Sequence, residues 1–131
     1  MLIALLLAFL ALGASNAQAI IIEGSRPVGI AFGQTARVNI LNLSNGAIII
    51  EGGKFLDGDG IVLGEFRGTI EPGQTMSFDL NRDTVSGAQN RIQIHVVIEG
   101  PQPHLRRAAI SLEVFNNADG RTTVFIGDPG L

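Results

Sequence analysis

The chain has 131 residues, nine basic against twelve acidic, a net charge of −3, and no Cys, Trp or Tyr. Without cysteine there are no disulfides, no thiolate catalysis, no Cys-ligated zinc and no lipid-bearing cysteine, and the dispersed charge offers no basic patch for nucleic acid or an anionic membrane. Phe is the only aromatic left for stacking, which argues against a platform for sugars or bases.

Residues 2–12 form an uninterrupted apolar run, followed by small and polar residues ending in Ala17-Gln18-Ala19. This pattern predicts a secretory signal peptide over residues 1–19, cleaved after Ala19 to leave Ile20 as the mature start. No Lys or Arg precedes the run, which keeps an uncleaved anchor as the alternative. The run is short of the roughly 20 apolar residues that a span needs, so no membrane span is expected after cleavage. Removing 19 of the 131 residues leaves 112, enough for one domain over residues 20–131 with its own core and no metal or disulfide staple. An exported domain without cysteine fits a bacterial exporter better than a eukaryotic one, and its expected location is secreted or periplasmic.

In chain order, the first strand is expected at residues 20–22 or 28–32, with Pro27 interrupting the pair. Residues 35–43 alternate, with Ala36, Val38 and Ile40 on one face, and Asn45-Gly46 marks the following turn. The continuous run Ile48-Ile49-Ile50 predicts a strand covered on both faces, with a bulge at Gly52-Gly53 before Phe55. Asp57-Gly58-Asp59-Gly60 predicts a hairpin turn into residues 61–66. Glu71-Pro72-Gly73-Gln74 predicts a type II turn, after which Met76, Phe78 and Leu80 point inward. Residues 81–90 read as a polar loop. The clearest strand sets Ile92, Ile94, Val96 and Ile98 against Arg91, Gln93, His95 and Val97, and ends at Gly100-Pro101-Gln102-Pro103. The next sets Ala108, Ile110, Leu112 and Val114 against Arg107, Ala109, Ser111 and Glu113. After a turn at Asn117-Ala118-Asp119-Gly120, residues 122–126 form a last short strand. Seven to nine short strands with frequent turns predict an all-β fold, a two-sheet antiparallel sandwich, with a small closed barrel as its competitor.

Four segments carry a resemblance: Gly33-Gln34-Thr35, Phe55-Leu56-Asp57-Gly58-Asp59-Gly60, Pro72-Gly73-Gln74 ahead of Met76, and Ser111-Leu112-Glu113-Val114-Phe115-Asn116-Asn117. Together they resemble the small exported immunoglobulin-like domains of bacteria. The Cys pair, core Trp and tyrosine corner of antibody-type domains are missing, so the resemblance implies the general immunoglobulin-like sandwich only. It implies an adhesion, spacing or binding role without choosing among them.

The candidate chemistry is sparse. Asp57 and Asp59 are two residues apart, but Ile61 occupies the next alternate position where a Ca²⁺ loop would place an oxygen ligand, so the pair reads as a hairpin turn. His95 and His104 are the only imidazoles and lack an evident third ligand, leaving a metal-binding or enzymatic protein built on them as an outside alternative. No Ser sits in G-x-S-x-G or S-x-x-K, and no phosphate loop or dinucleotide fingerprint occurs. Asn42-Leu43-Ser44 matches the glycosylation sequon and reads as a chance match.

The sequence therefore predicts an exported, non-enzymatic binding, adhesion or spacer module with no cofactor and no metal, whose partner is a protein or envelope component. Its expected binding face is Arg91, Gln93, His95, Arg107, Ser111 and Glu113 on the two best strands, with Gln102 and His104 in the loop between. The competing expectation is a homo-oligomer, a surface subunit assembled by strand addition through Ile20-Ile21-Ile22.

Overall fold

Period-two alternation and Gly-rich turns build nine strands among the described residues, 20–101 and 103–127 of a computed structural model. They are β1 (Ile20–Gly24), β2 (Val28–Ala31), β3 (Gln34–Asn42), β4 (Ile48–Asp57), β5 (Val62–Ile70), β6 (Thr75–Asn81), β7 (Arg91–Pro101), β8 (Ala108–Asn116) and β9 (Thr122–Ile126). Two short 3-10 turns, Arg82–Thr84 and His104–Arg107, lie before β7 and β8. The predicted signal segment, Gln102 and the tail from residue 128 lie outside the described residues.

The strands form two antiparallel sheets, one ordered β1-β7-β4-β5 with β2 also on β7, the other ordered β6-β3-β8-β9. Both alternatives for the first strand are present. β1 pairs with the second half of β7 (Ile20 with Pro101, Gly24 with Val97), and β2 pairs with the first half (Val28 with Ile94). Ser25 keeps the ladder going between them, since its N–H donates to the Val96 carbonyl and its Oγ accepts from the Val96 N–H, each at 2.9 Å.

The pairs β3–β6 and β4–β7 correspond to the B–E and C–F pairs of an immunoglobulin sandwich. Beside them the chain departs from that order. The strand next to β7 is the N-terminal β1–β2 line, and β8, which follows β7 in sequence, crosses over to pair with β3. The architecture is a two-sheet antiparallel sandwich compatible with an immunoglobulin-like fold.

Inward residues interdigitate between the sheets: Val38, Ile40, Leu112 and Val114 from one side, Ile48, Phe55, Ile94, Val96 and Ile98 from the other, all 2% exposed or less. The Ile48-Ile49-Ile50 run is not covered on both faces. Ile48 and Ile50 are buried but Ile49 is 46% exposed, because β4 lies in a sheet with one face on the core and one on solvent. The predicted bulge is present, with the β4–β5 register shifting between Ile50 and Gly53. The predicted type II turn also forms, with Gly73 at φ +79° and Gln74 N–H donating to the Glu71 carbonyl at 3.0 Å.

Gly53 has a packing reason as well as a bulge. It pairs with Phe66, whose ring covers its backbone, stacks on Phe78 at 4.3 Å and meets Phe55 edge-on at 5.5 Å. A Cβ at position 53 would come within 2.5 Å of three atoms of that ring. Gly53→Ala is therefore expected to displace Phe66 and cost about 2–3 kcal/mol of unfolding free energy, the range of overpacked cores. Urea denaturation measures it, and Gly58→Ala, where a Cβ meets nothing within 4 Å, serves as the neutral comparison.

Candidate functional site

The register of β7 and β8 matches the predicted alternation, but the two strands belong to different sheets. Arg91, Gln93 and His95 therefore lie on the outer face of the five-stranded sheet, and Ser111 and Glu113 on the outer face of the four-stranded sheet, at opposite sides of the sandwich. The sequence-predicted face is divided by this geometry. The cause is the connection between the strands, which carries the 3-10 turn His104–Arg107 and buries Leu105 at 1% exposure in place of a tight hairpin. Leu105 between polar residues, and a link longer than most hairpin loops, were the signals that could have revealed the crossing.

His104 and Arg107 sit in that crossing. The His104 ring lies against Gly46, where a Cβ would come within 2.6 Å of it, and the Arg107 carbonyl accepts from Leu43 N–H at 3.2 Å. His95 instead pairs opposite Leu56 on the outer face of β7, so the two imidazoles are on different surfaces. Among the described residues no group of three His, Asp or Glu side chains converges as a metal site would need.

On the four-stranded sheet the outward polar side chains engage one another. Arg37 grips Asp79 in a two-pronged pair at 2.7 and 2.9 Å, and its guanidinium lies 4.9 Å from the Phe115 ring centre. That hydrogen-bonded carboxylate, helped by Glu113, raises the Arg37 pKa above its ordinary value. In the next row Ser77 Oγ donates to Asn39 Oδ1 at 2.6 Å, and Asn39 Nδ2 donates to Ser111 Oγ at 3.3 Å. Thr122 Oγ1 donates to Glu113 Oε2 at 3.4 Å. Ser111 and Glu113 are thus used in cross-strand ladders that hold the sheet.

The five-stranded sheet presents the opposite situation. At the start of β7, Arg91, Ile92 and Gln93 line an open groove of about 280 Å³ together with Gln89 and the turn residues Asp57, Gly58 and Asp59. The turn itself is fixed, because Asp57 Oδ1 accepts from the N–H groups of Asp59 and Ile61, both at 2.9 Å, and Gly60 takes φ +81°. One carboxylate oxygen of Asp57 therefore serves the hairpin, while Asp59 is exposed. Across β2, Gly29 leaves room for the neighbouring side chains to lie flat, since a Cβ there would be 3.2 Å from both Arg91 Cδ and Gln93 Nε2. Neither Arg91 nor Gln93 has a side-chain hydrogen bond within the described residues. Sequence reading named Arg91 and Gln93, and it named the Asp57–Asp59 turn separately. Their meeting in one groove follows from the pairing of Asp57 with Ile94, which only the β4–β7 register fixes.

Compared with protein-family models, with curated proteins and with solved structures, the chain matches none. Function must be argued from the site alone.

Proposed function

We propose that this protein is an exported, non-enzymatic binding module of immunoglobulin-like type, and that its contact surface is the groove where β7 meets the Asp57–Gly60 hairpin. The observation that carries this reading is the groove's composition. A guanidinium and two amides (Arg91, Gln89, Gln93) stand beside an exposed carboxylate (Asp59) on β7, the loop before it and the hairpin, and neither Arg91 nor Gln93 has a side-chain hydrogen bond among the described residues. Donors and acceptors side by side in an open groove suit a polar protein segment or envelope component, which supplies carboxylates and backbone amides together. Export rests on residues 2–12 and on Ala17-Gln18-Ala19, and cleavage there would leave Ile20, the first residue of β1, at the mature terminus.

The test is a crosslinking experiment in intact producing cells with a photoreactive group at residue 93, followed by mass spectrometry of the adduct and of the protein's own N-terminus. A captured partner should be lost at least tenfold on Arg91→Glu combined with Asp59→Arg, the effect of reversing two polar contacts worth about 1–3 kcal/mol each. Arg107→Glu, on the far side of the molecule, should leave capture unchanged. Equal capture by the groove variant sinks the reading, and a mature terminus other than Ile20 sinks the predicted cleavage.

A further inference from the structure

The described fold has four strand edges, and three of them are defended. β5 carries Glu65 and Arg67 and faces a bulged partner, β6 carries Asp79, and the β1–β2 line is interrupted by Arg26-Pro27. Charges, bulges and proline on an edge discourage pairing with another chain. β9 lacks the charges and the proline: Thr122–Ile126 contains neither, its irregularity against β8 is confined to the step between Val124 and Thr122, and Val124 and Phe125 are 37% and 63% exposed.

The ladder's phase shows which backbone groups of β9 are free. Leu43 N–H donates to the Arg107 carbonyl and Asn117 N–H to the Gly33 carbonyl, so odd-numbered residues of β8 turn towards β3 and even-numbered ones towards β9. Ile126 and Val124, opposite Leu112 and Val114, therefore face β8, and the N–H and C=O of Phe125 point outward.

We propose that β9 pairs antiparallel with β9 of a second copy of this chain about a twofold axis, Phe125 standing opposite the second copy's Phe125. At the axis the two Phe125 residues exchange both of their free backbone hydrogen bonds. The same register brings the two exposed rings side by side on the outer face and sets Val124 against the second copy's Ile126 on the inner one. An uncharged strand places no like charges across the axis, which makes this edge complementary to itself. A register centred one residue earlier is disfavoured by the irregularity that separates Val114 from Phe115 in the β8–β9 ladder. Two five-residue strands bury less than about 1,000 Å², so the dimer is a transient one that forms with rising concentration. The contact lies on the sheet opposite the Arg91 groove and does not depend on the reading given for that groove.

The absence of cysteine from the chain provides a clean probe. In a hydrogen-bonded antiparallel pair the Cα atoms are about 5.5 Å apart, within the span a disulfide accepts. With oxidised glutathione, Phe125→Cys should form a covalent dimer at least tenfold faster than Thr75→Cys on the β6 edge at equal concentration. In sedimentation between roughly 10 μM and 1 mM, the unsubstituted protein should gain mass towards that of a dimer, as a weak interface requires. Phe125→Lys, which sets two ammonium groups at the axis, should remain monomeric with an unchanged urea midpoint because the side chain is mostly exposed. If Phe125→Lys proves less stable, the cysteine rates carry the test alone. A protein monomeric throughout the range, or equal crosslinking at positions 125 and 75, overturns the dimer. Faster crosslinking at Val124→Cys than at Phe125→Cys overturns the register.

Discussion

Arg82→Ala is expected to lower the unfolding free energy by about 2–4 kcal/mol, although the residue lines neither the groove nor the open edge. Its side chain is 0% exposed, and no carboxylate among the described residues pairs with it. The charge is met instead by the backbone: Nη1 donates to the Val85 carbonyl at 2.9 Å, and Nη2 donates to the carbonyls of Gly87, at 3.4 Å, and Gln89. The guanidinium carbon lies 4.1 Å from the Phe32 ring centre. Taking a lone guanidinium out of water costs several kcal/mol. Charge-assisted hydrogen bonds at about 1.5–3 kcal/mol each, with a cation–π contact of about 2, are enough to offset it. Truncation removes that cation and leaves three carbonyls of residues 85–89 without a donor, so the loop must open to reach water. Arg82→Lys should lose most of the same stability, because an ammonium on a flexible stem cannot hold a fan of carbonyls as a planar fork does. Phe32→Leu, which removes only the aromatic face, should cost about 1 kcal/mol. Urea denaturation measures the first effect and amide exchange over residues 85–90 its location. A change under about 0.5 kcal/mol for Arg82→Ala, the scatter of neutral surface substitutions, would show that the clamp is dispensable.

The sequence made the sheets legible and the polar interior illegible, for one physical reason. Period-two alternation reports which face of a strand is buried, so β3, β6, β7 and β8 and their inward residues could be read directly, as could the turns at Gly60 and Gly73 where positive φ is required. Alternation says nothing about which strand is the neighbour. The crossing of β8 to β3 is a tertiary fact set by loop length and by Leu105, and it separated residues that sequence order had grouped. Buried polar residues fail in the opposite direction. Arg82 sits in a segment that reads as a polar loop, and Asn42 ends a strand as a polar residue on the face of Ala36, Val38 and Ile40; only the carbonyls that converge on each, from residues 85–89 and from Gly46 and Ile70, make their burial tolerable. The groove lies between these cases: Arg91, Gln93 and the Asp57–Asp59 turn were visible one by one, Gln89 was only part of a polar loop, and their proximity was not legible.

Asn42 gives the second large expected effect, because all of its side-chain capacity is used inside the protein. Nδ2 donates to the carbonyls of Gly46 and Ile70, both at 2.8 Å, and Oδ1 accepts from Ser44 N–H at 2.8 Å. Ser44 Oγ stands 2.7 Å from both Asn42 Oδ1 and the Gly46 carbonyl, so its single proton serves one of them at a time. The Asn42 backbone adds two more ties, its N–H donating to Gln74 O and its C=O accepting from Gly73 N–H, both at 2.9 Å. One residue at 0% exposure thereby fastens the β3–β4 loop, the end of β5 and the type II turn to one another. Asn42→Ala keeps the backbone bonds but strands two carbonyls and an N–H, each costing about 1–3 kcal/mol where water cannot reach. Partial hydration of the loop lowers the sum, and a loss of about 3–4 kcal/mol of unfolding free energy is expected, within the tail of large single-residue effects. Ser44→Ala, which removes one shared hydroxyl, should cost only about 1 kcal/mol. The same bonds explain the Asn42-Leu43-Ser44 sequence without glycosylation, since the nitrogen a glycan would occupy is buried and donates twice. If urea denaturation finds Asn42→Ala no less stable than Ser44→Ala, the hub does not exist, and the three loops must be held by their backbones alone.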